Sequence, residues 1–146
     1  MDTSDYVSII EVESSYARAL DSRDWARLGE CFDADATAEY SAFARPMNGR
    51  DEIVSAIREG CRKFEVTQHI VGSPSVRIDG HTAVGSFYVI AQHVARRDGA
   101  EVHCLVGVDY ADELSLNGAS WRIVRRKTNR LWTQGDESIL SIGSSR

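Results

Sequence analysis

Two side chains in this sequence have the types and settings for proton transfer. His69 lies in the stretch TQHIV, where Thr67, His69 and Val71 share one face of an alternating pattern. The imidazole therefore belongs to a strand and not to a loop. Its unperturbed pKa of about 6.5 suits it to move protons at neutral pH. Asp21 ends an apolar helical stripe that includes Val7, Ile9, Ile10, Val12, Tyr16, Ala19 and Leu20. A second stripe, Trp25, Leu28, Cys31 and Phe32, begins after Ser22-Arg23-Asp24. A carboxylate at such a corner must be hydrogen-bonded, paired or wet, because an unpaired buried charge is costly. One reading makes Asp21 a turn residue capping the next helix. Asp24, directly before Trp25, competes for that role and leaves Asp21 open to another. If the corner docks over the open side of the sheet, Asp21 can orient His69, fix its tautomer and leave the second ring nitrogen as a base. The competing reading of His69 is a packed or solvated strand residue with no chemistry.

Arg126 lies near the chain's end in WRIVRRKT, on a strand face with Val124 and Thr128, while Arg125 points the other way. An inward arginine suits a ligand oxygen, or equally a buried carboxylate. Tyr16 and Tyr40 are phenolic donors or amphipathic core residues. His93 reaches a cavity only if bulges allow it; His81, beside the Asp79–Gly80 turn, and His103, near a hairpin, read as surface residues. With a two-residue turn at Asp98–Gly99, His93 falls opposite Cys104 and Val94 opposite His103. The two histidines then occupy opposite faces, a poor arrangement for one metal. HExxH, CxxC, glycine-rich phosphate-loop, EF-hand and nucleophile-elbow patterns are absent from the sequence.

The elements that must position these residues follow from periodicity. Residues 1–6 read as a frayed start, helices as 7–21, 24–33 and 50–61, and a short strand as 36–40. Pro46 and Asn48–Gly49 make SAFARPMNG an apolar loop suited to cover a pocket mouth. Strand patterns cover Thr67–Val71, Val76–Ile78 after the Gly72-Ser73-Pro74 interruption, Thr82–Ala95, Val102–Leu114 and Trp121–Thr128. Gly85 marks a bend. Residues 129–146 form a tail that docks on the sheet through Leu131, Trp132, Ile139, Leu140 and Ile142, its last four residues excepted. The expected class is α+β, with helices against one curved, mostly antiparallel sheet whose concave side can hold a ligand.

At 146 residues the chain makes one domain, 1–146. A formal net charge of −5 argues against nucleic-acid and anionic-membrane surfaces. Cys31, Cys61 and Cys104 are odd in number and widely spaced, so neither a disulfide framework nor a zinc site follows. No signal-peptide pattern or membrane-length apolar run is present, and the expected location is cytoplasmic.

YARALDSRDWARLGECFDADATAEY, Gly49 before the third helix, TQH, VRIDGHTAVGSFYV and GASWRIVRR together resemble the NTF2-like superfamily, specifically its SnoaL-like branch. That branch includes scytalone dehydratase, hexachlorocyclohexane dehydrochlorinase and the bile-acid 7α-dehydratases. The resemblance covers roughly residues 5–130 and implies a cone-shaped sheet around a deep apolar cavity. It implies an Asp21–His69 pair, with Tyr16 five residues before the aspartate and Arg126 after the final-strand tryptophan as hydrogen-bond donors to substrate oxygen. Tyr40 falls near the first-strand tyrosine of the scytalone enzyme, and His93 meets its long-strand histidine only with a shift.

The implied chemistry is cofactor-independent and metal-free. His69 removes a proton beside an acidifying group, and an alkene or an isomer results. Trp25, Tyr40, Phe43, Val71, Phe87, Tyr88 and His93 are the expected substrate contacts, for a compact polycyclic or aromatic molecule. A homodimer is expected. Rival readings are a binding protein for a small apolar ligand, an assembly subunit like the small subunits of ring-hydroxylating dioxygenases, and a polyketide cyclase or epoxide hydrolase. The last wants a second aspartate, for which Asp109 is the candidate.

Overall fold

The computed structural model describes residues 3–141. The first apolar stripe becomes helix α1 (Thr3–Ser22), which buries Ile9, Glu13, Tyr16, Ala17, Ala19 and Leu20. Steps of three and four residues put Ile9, Glu13, Tyr16 and Leu20 on one face. Val7 lies off that face and is exposed. Thr3 to Tyr6 are helical and not frayed, while Met1 and Asp2 lie outside the described residues. Asp24 caps α2 (Trp25–Glu30), accepting the Arg27 backbone N–H at 3.1 Å. Helix α2 is shorter than its pattern predicts, because Phe32 leaves it to open strand β1 (Phe32–Glu39) opposite Ile123.

The loop after β1 leads through the two-residue β2 (Met47–Asn48) to α3 (Arg50–Cys61), which packs on β1. Four long strands follow: β3 (Val66–Asp79), β4 (Thr82–Arg97), β5 (Ala100–Asn117) and β6 (Ser120–Gly135). The Gly72-Ser73-Pro74 interruption is a bulge within β3 and does not end it. Strand β6 runs seven residues past the expected end at Thr128 and takes in the first part of the predicted tail. A 3-10 turn, Glu137–Leu140, follows; its Ile139 is buried against Ala95, Cys104 and Val106. Ile142 and the last four residues lie outside the described residues.

The strands form one sheet in the order β2-β1-β6-β5-β4-β3. Its ends, β2 and β3, do not pair with each other, so the sheet is open. It is also mixed, because β1 runs parallel to β6 while the other neighbours run antiparallel. The expected curved, cone-shaped sheet is corrected accordingly: the α+β class with three helices and a mostly antiparallel sheet holds, but the sheet does not curl into a cone. Alternation along each strand divides core from solvent. On β4, Ala83, Phe87, Val89 and Ala91 are buried, while Val84, Tyr88 and Ile90 are exposed. Gly107 is required on the outer face, since a Cβ there would meet the Trp132 ring at 2.2 Å. Among the described residues no helix is long and apolar enough to cross a membrane.

Candidate active site

Because Asp24 serves as the cap of α2, the Asp21 carboxylate is left to reach the sheet. Its Oδ1 lies 2.8 Å from His69 Nδ1, and its Oδ2 accepts the His69 backbone N–H at 2.7 Å. The Thr67 hydroxyl donates to Oδ1 at 3.0 Å. Thr67 in turn accepts from Arg23 Nη1 at 2.8 Å, and the same nitrogen donates to the Leu20 carbonyl at 2.9 Å. Arg23 adopts a φ of 62°, unusual for a residue with a Cβ, at the turn that aims its guanidinium toward Thr67. Burial pushes the Asp21 carboxyl up. The hydrogen bonds from the His69 ring and backbone and from Thr67, with the attraction of the imidazole, outweigh burial and hold Asp21 below the usual carboxylate range. An ionised Asp21 accepts, so the Nδ1 proton of His69 points at it, and in the neutral ring the lone pair falls on Nε2. His69 Nε2 has no hydrogen-bond partner among the described residues.

His69 lines a cavity between the helices and the sheet. Asp21 lies behind it, outside the lining. The walls include Leu20, Phe43, Ile57, Phe64, Ala91, Val106, Val108 and Leu140. The volume is about 140 Å³, close to that of an engineered apolar cavity of about 150 Å³ that accepts benzene. The loop after β1 closes one side as its apolar composition predicts, with Tyr40, Ser41, Ala42 and Phe43 in the lining. The Ser41 backbone N–H pins that loop to Thr128 Oγ1 at 2.9 Å.

His93 also lines the cavity, its ring 6.1 Å from that of His69 and 4.8 Å from Phe64. The strand pairs anticipated from the Asp98–Gly99 turn are present, His93 with Cys104 and Val94 with His103. His93 Nδ1 donates to the Cys104 carbonyl at 3.2 Å. Burial, reinforced by the neighbouring His69, pushes His93 down to about 4, so it stands neutral at pH 7. Its parity with Phe87, Val89 and Ala91 on the inner face of β4 is a sequence signal that places it without any shift.

Tyr16 and Tyr40 meet at the cavity, their hydroxyls 2.8 Å apart. Burial pushes both phenols up. Arg126 does not join them in the lining. It is 0% exposed, and two acidic side chains take its Nε and Nη2 donors while Nη1 has no hydrogen-bond partner. Nε donates to Asp112 Oδ1 at 2.8 Å, while Nη2 donates to Asp112 Oδ2 and Glu13 Oε2 at 2.5 Å each. Arg126 Cζ lies 4.3 Å from the ring centroids of both Tyr16 and Tyr110. The arginine thus lies behind the tyrosines, and the expected direct contact with a substrate is corrected. Glu13 was missed in the sequence, although its place on the α1 apolar stripe is the visible signal.

The expected contact list divides in a similar way. Tyr40, Phe43 and His93 line the cavity; Trp25, Val71, Phe87 and Tyr88 do not. Trp25 sits on the outside of the short α2 beside Arg58 and Arg62. Val71 faces α1 near Ala17 and Arg18. Phe87 is buried in the core, its ring against the Cα side of Gly85. Tyr88 is 58% exposed on the opposite face of the sheet. Asp109 is likewise absent from the lining, which removes the second aspartate that the epoxide-opening alternative needs. Cavity residues that the sequence reading did not select include Cys61, Phe64, Thr67, Tyr110, Thr128 and Arg130. Thr67, Tyr110 and Thr128 were available from alternation along their strands. Among the described residues no group of three or more His, Cys, Asp or Glu could hold a metal ion.

Comparison with known proteins agrees with this architecture. A family model described as a SnoaL-like domain matches residues 1–127. An uncharacterised protein of Mycobacterium tuberculosis is 29% identical over 123 residues, covering 84% of this chain and 83% of its own. A protein of Kribbella flavida superposes with a TM-score of 0.85 at 22% identity, over 94% of this chain and 97% of its own. A hexachlorocyclohexane dehydrochlorinase of Novosphingobium barchaimii superposes with a TM-score of 0.80 at 12% identity, over 90% of each chain.

Proposed function

The chain belongs to the SnoaL-like domain family, and on that footing we propose that it is a cofactor-independent lyase or isomerase of the dehydratase kind. The observation that carries this reading is the Asp21–His69 pair, whose free Nε2 belongs to an imidazole in an apolar cavity wall. A fold shared with a dehydrochlorinase, an enzyme of elimination by name, supports the same reaction class.

In this mechanism His69 Nε2 takes a proton from a carbon next to a carbonyl or other acidifying group. The imidazolium that forms is stabilised by ionised Asp21, which also holds the ring at the required angle. The electron pair of the broken C–H bond forms the new double bond as a hydroxide or halide leaves from the adjacent carbon. In an isomerisation, His69 returns the proton at a second carbon. The Tyr16–Tyr40 hydroxyl pair donates a hydrogen bond to the departing group or the developing oxyanion. Neutral His93 completes the polar side of the cavity and positions the substrate through Nε2. Arg126 acts only through the tyrosines, as a positioning residue.

The substrate class this reading favours is a single-ring compound, because the volume of about 140 Å³ fits one benzene-sized ring. Deuterium exchange at the α-carbon of cyclohexanone in heavy water, followed by NMR, tests the base directly. The wild-type protein should accelerate exchange over buffer, His69→Ala should abolish the acceleration, and Asp21→Asn should lower it by about 10²-fold. Near-UV circular dichroism establishes that both variants stay folded. Exchange at the buffer rate with wild-type protein, alongside measurable ligand binding, would replace this reading with a non-catalytic binding role.

A further inference from the structure

The cavity wall contains one guanidinium, that of Arg130, and no carboxylate. Arg130 has no hydrogen bond or ion pair among the described residues. Its cavity position follows from alternation along β6, two residues after Thr128 and opposite Val108. Arg130 pairs with Val108, whereas Trp132 pairs with Gly107, so Leu131 is an extra residue between two consecutive partners. That bulge turns Trp132 to the outer face over Gly107, so the indole does not follow Arg130 into the cavity. A bulge beside a site commonly re-aims a side chain in this way. The charged groups nearby are few. Glu137 shares a shallow hollow with Arg130 but hydrogen-bonds the Thr133 hydroxyl. Lys63 is held by the Ser141 carbonyl at 2.5 Å, with its ammonium 5.2 Å from the Phe64 ring centroid. Asp136 is paired with Arg97 at 2.9 Å.

An exposed cation at the edge of an apolar wall, with no hydrogen-bonded anion among the described residues, favours a negatively charged ligand. The planar fork of a guanidinium matches a carboxylate in particular. The strands of His69 and Arg130 are three spacings apart, about 14 Å across the sheet, and Arg130 lies further along it, since His69 aligns through Ala91 and Val106 with Thr133. Both side chains reach inward, and the space left between them suits one ring bearing one short anionic substituent. We propose that the ligand of this cavity is a cyclic carboxylic acid, its ring enclosed beside His69 and its carboxylate held by Arg130. This specifies the substrate class of the function proposed above and rests on that reading of the cavity.

The test uses the full chain and three probes: benzoate, its neutral counterpart benzamide, and toluene. Isothermal titration calorimetry at pH 7.5 gives the affinities, and the ring C–H signals of His69 and His93 in NMR report occupancy of the cavity. Benzoate should bind about 10- to 100-fold more tightly than benzamide, the range expected of a hydrogen bond to a charged group. Arg130→Gln should remove that preference while leaving toluene affinity unchanged. Because the arginine side chain is exposed at its outer end and unpaired, the variant should fold as the wild type does. Equal binding of benzoate and benzamide would overturn the carboxylate assignment and leave the apolar cavity reading intact. Retention of the benzoate preference in Arg130→Gln would overturn the role of Arg130. Failure of all three probes to shift the histidine signals would overturn this proposal together with the cavity reading on which it rests.

Discussion

Replacing Glu13 by Gln should reverse part of the protein's stability dependence on pH. Glu13 is 1% exposed, one oxygen meets Arg126 Nη2, and its Oε1 has no hydrogen-bond partner. Asp112 already holds Arg126 through two donors. One guanidinium thus faces two carboxyls. Burial pushes Glu13 up to about 8; Arg126 pulls against that, and the neighbouring Asp112 adds to it. The folded state therefore keeps the proton on Glu13 between its ordinary value of 4.5 and about 8, where the unfolded chain has released it. A folded pKa above the unfolded one gives stability that is complete below 4.5 and is lost as pH rises through about 8. At about 1.4 kcal/mol per pKa unit, the loss amounts to about 5 kcal/mol. Glutamine imitates the neutral acid and does not titrate. Urea unfolding of both proteins at pH 5, 6.5, 8 and 9 isolates the effect, because other titrating groups cancel in the difference. The variant should lie within about 1 kcal/mol of wild type at pH 5 and exceed it by a few kcal/mol at pH 9. A pH-independent difference would show that Glu13 is ionised in the native protein and that Arg126, not burial, governs the cluster.

Arg126→Met should cost about 3–5 kcal/mol in urea unfolding at pH 7, since it leaves Asp112 buried without its cation; a loss below 1 kcal/mol would refute the ion-pair account. Thr67→Val removes one of three hydrogen bonds to Asp21, which should raise the Asp21 pKa and lower the α-proton exchange rate by about 5-fold; unchanged values would show that Thr67 is only packing. Ile70, Ile90 and Trp132 form an exposed row on the outer face, continuous across Gly107. Light scattering should find a homodimer formed through this face, and Ile90→Lys should yield a monomer; a wild-type monomer would refute the assignment.

The Asp21–His69 pair was legible because two local signals met. Asp24 is better placed to cap α2, so Asp21 was left without a local partner, and His69 had a strand period around it. The length of α2 was not legible. Trp25, Leu28, Cys31 and Phe32 satisfy a helical spacing, yet Phe32 opens β1 because its strand partner Ile123 lies 91 residues away. The same distance in sequence hid the open, mixed sheet. Alternation tells which residues share a face, but it carries no information on which strand ends pair, and β1 joins β6 in parallel only in the folded chain.

Two of the arginines of β6, Arg126 and Arg130, show most clearly where a reading by parity fails. Ile123 and Arg126 both face inward, which strict alternation forbids; the register shift opposite Glu113 and Leu114 makes it possible. The second shift, at Leu131, follows the inward Arg130 and turns Trp132 outside, and it blurs the alternation enough that this stretch read as a tail. A bulge is set by pairing with the neighbouring strand and leaves little trace in a single strand's composition. The cation beside the cavity is therefore Arg130, at a position the local pattern assigned to no strand. Arg126, which the pattern favoured, is drawn away by carboxylates from α1 and β5. Choosing between the two from sequence would have required noticing that Glu13 interrupts an apolar stripe. A buried carboxyl, protonated or not, needs a hydrogen-bond partner, and Arg126, already placed inward, was the arginine available to meet it.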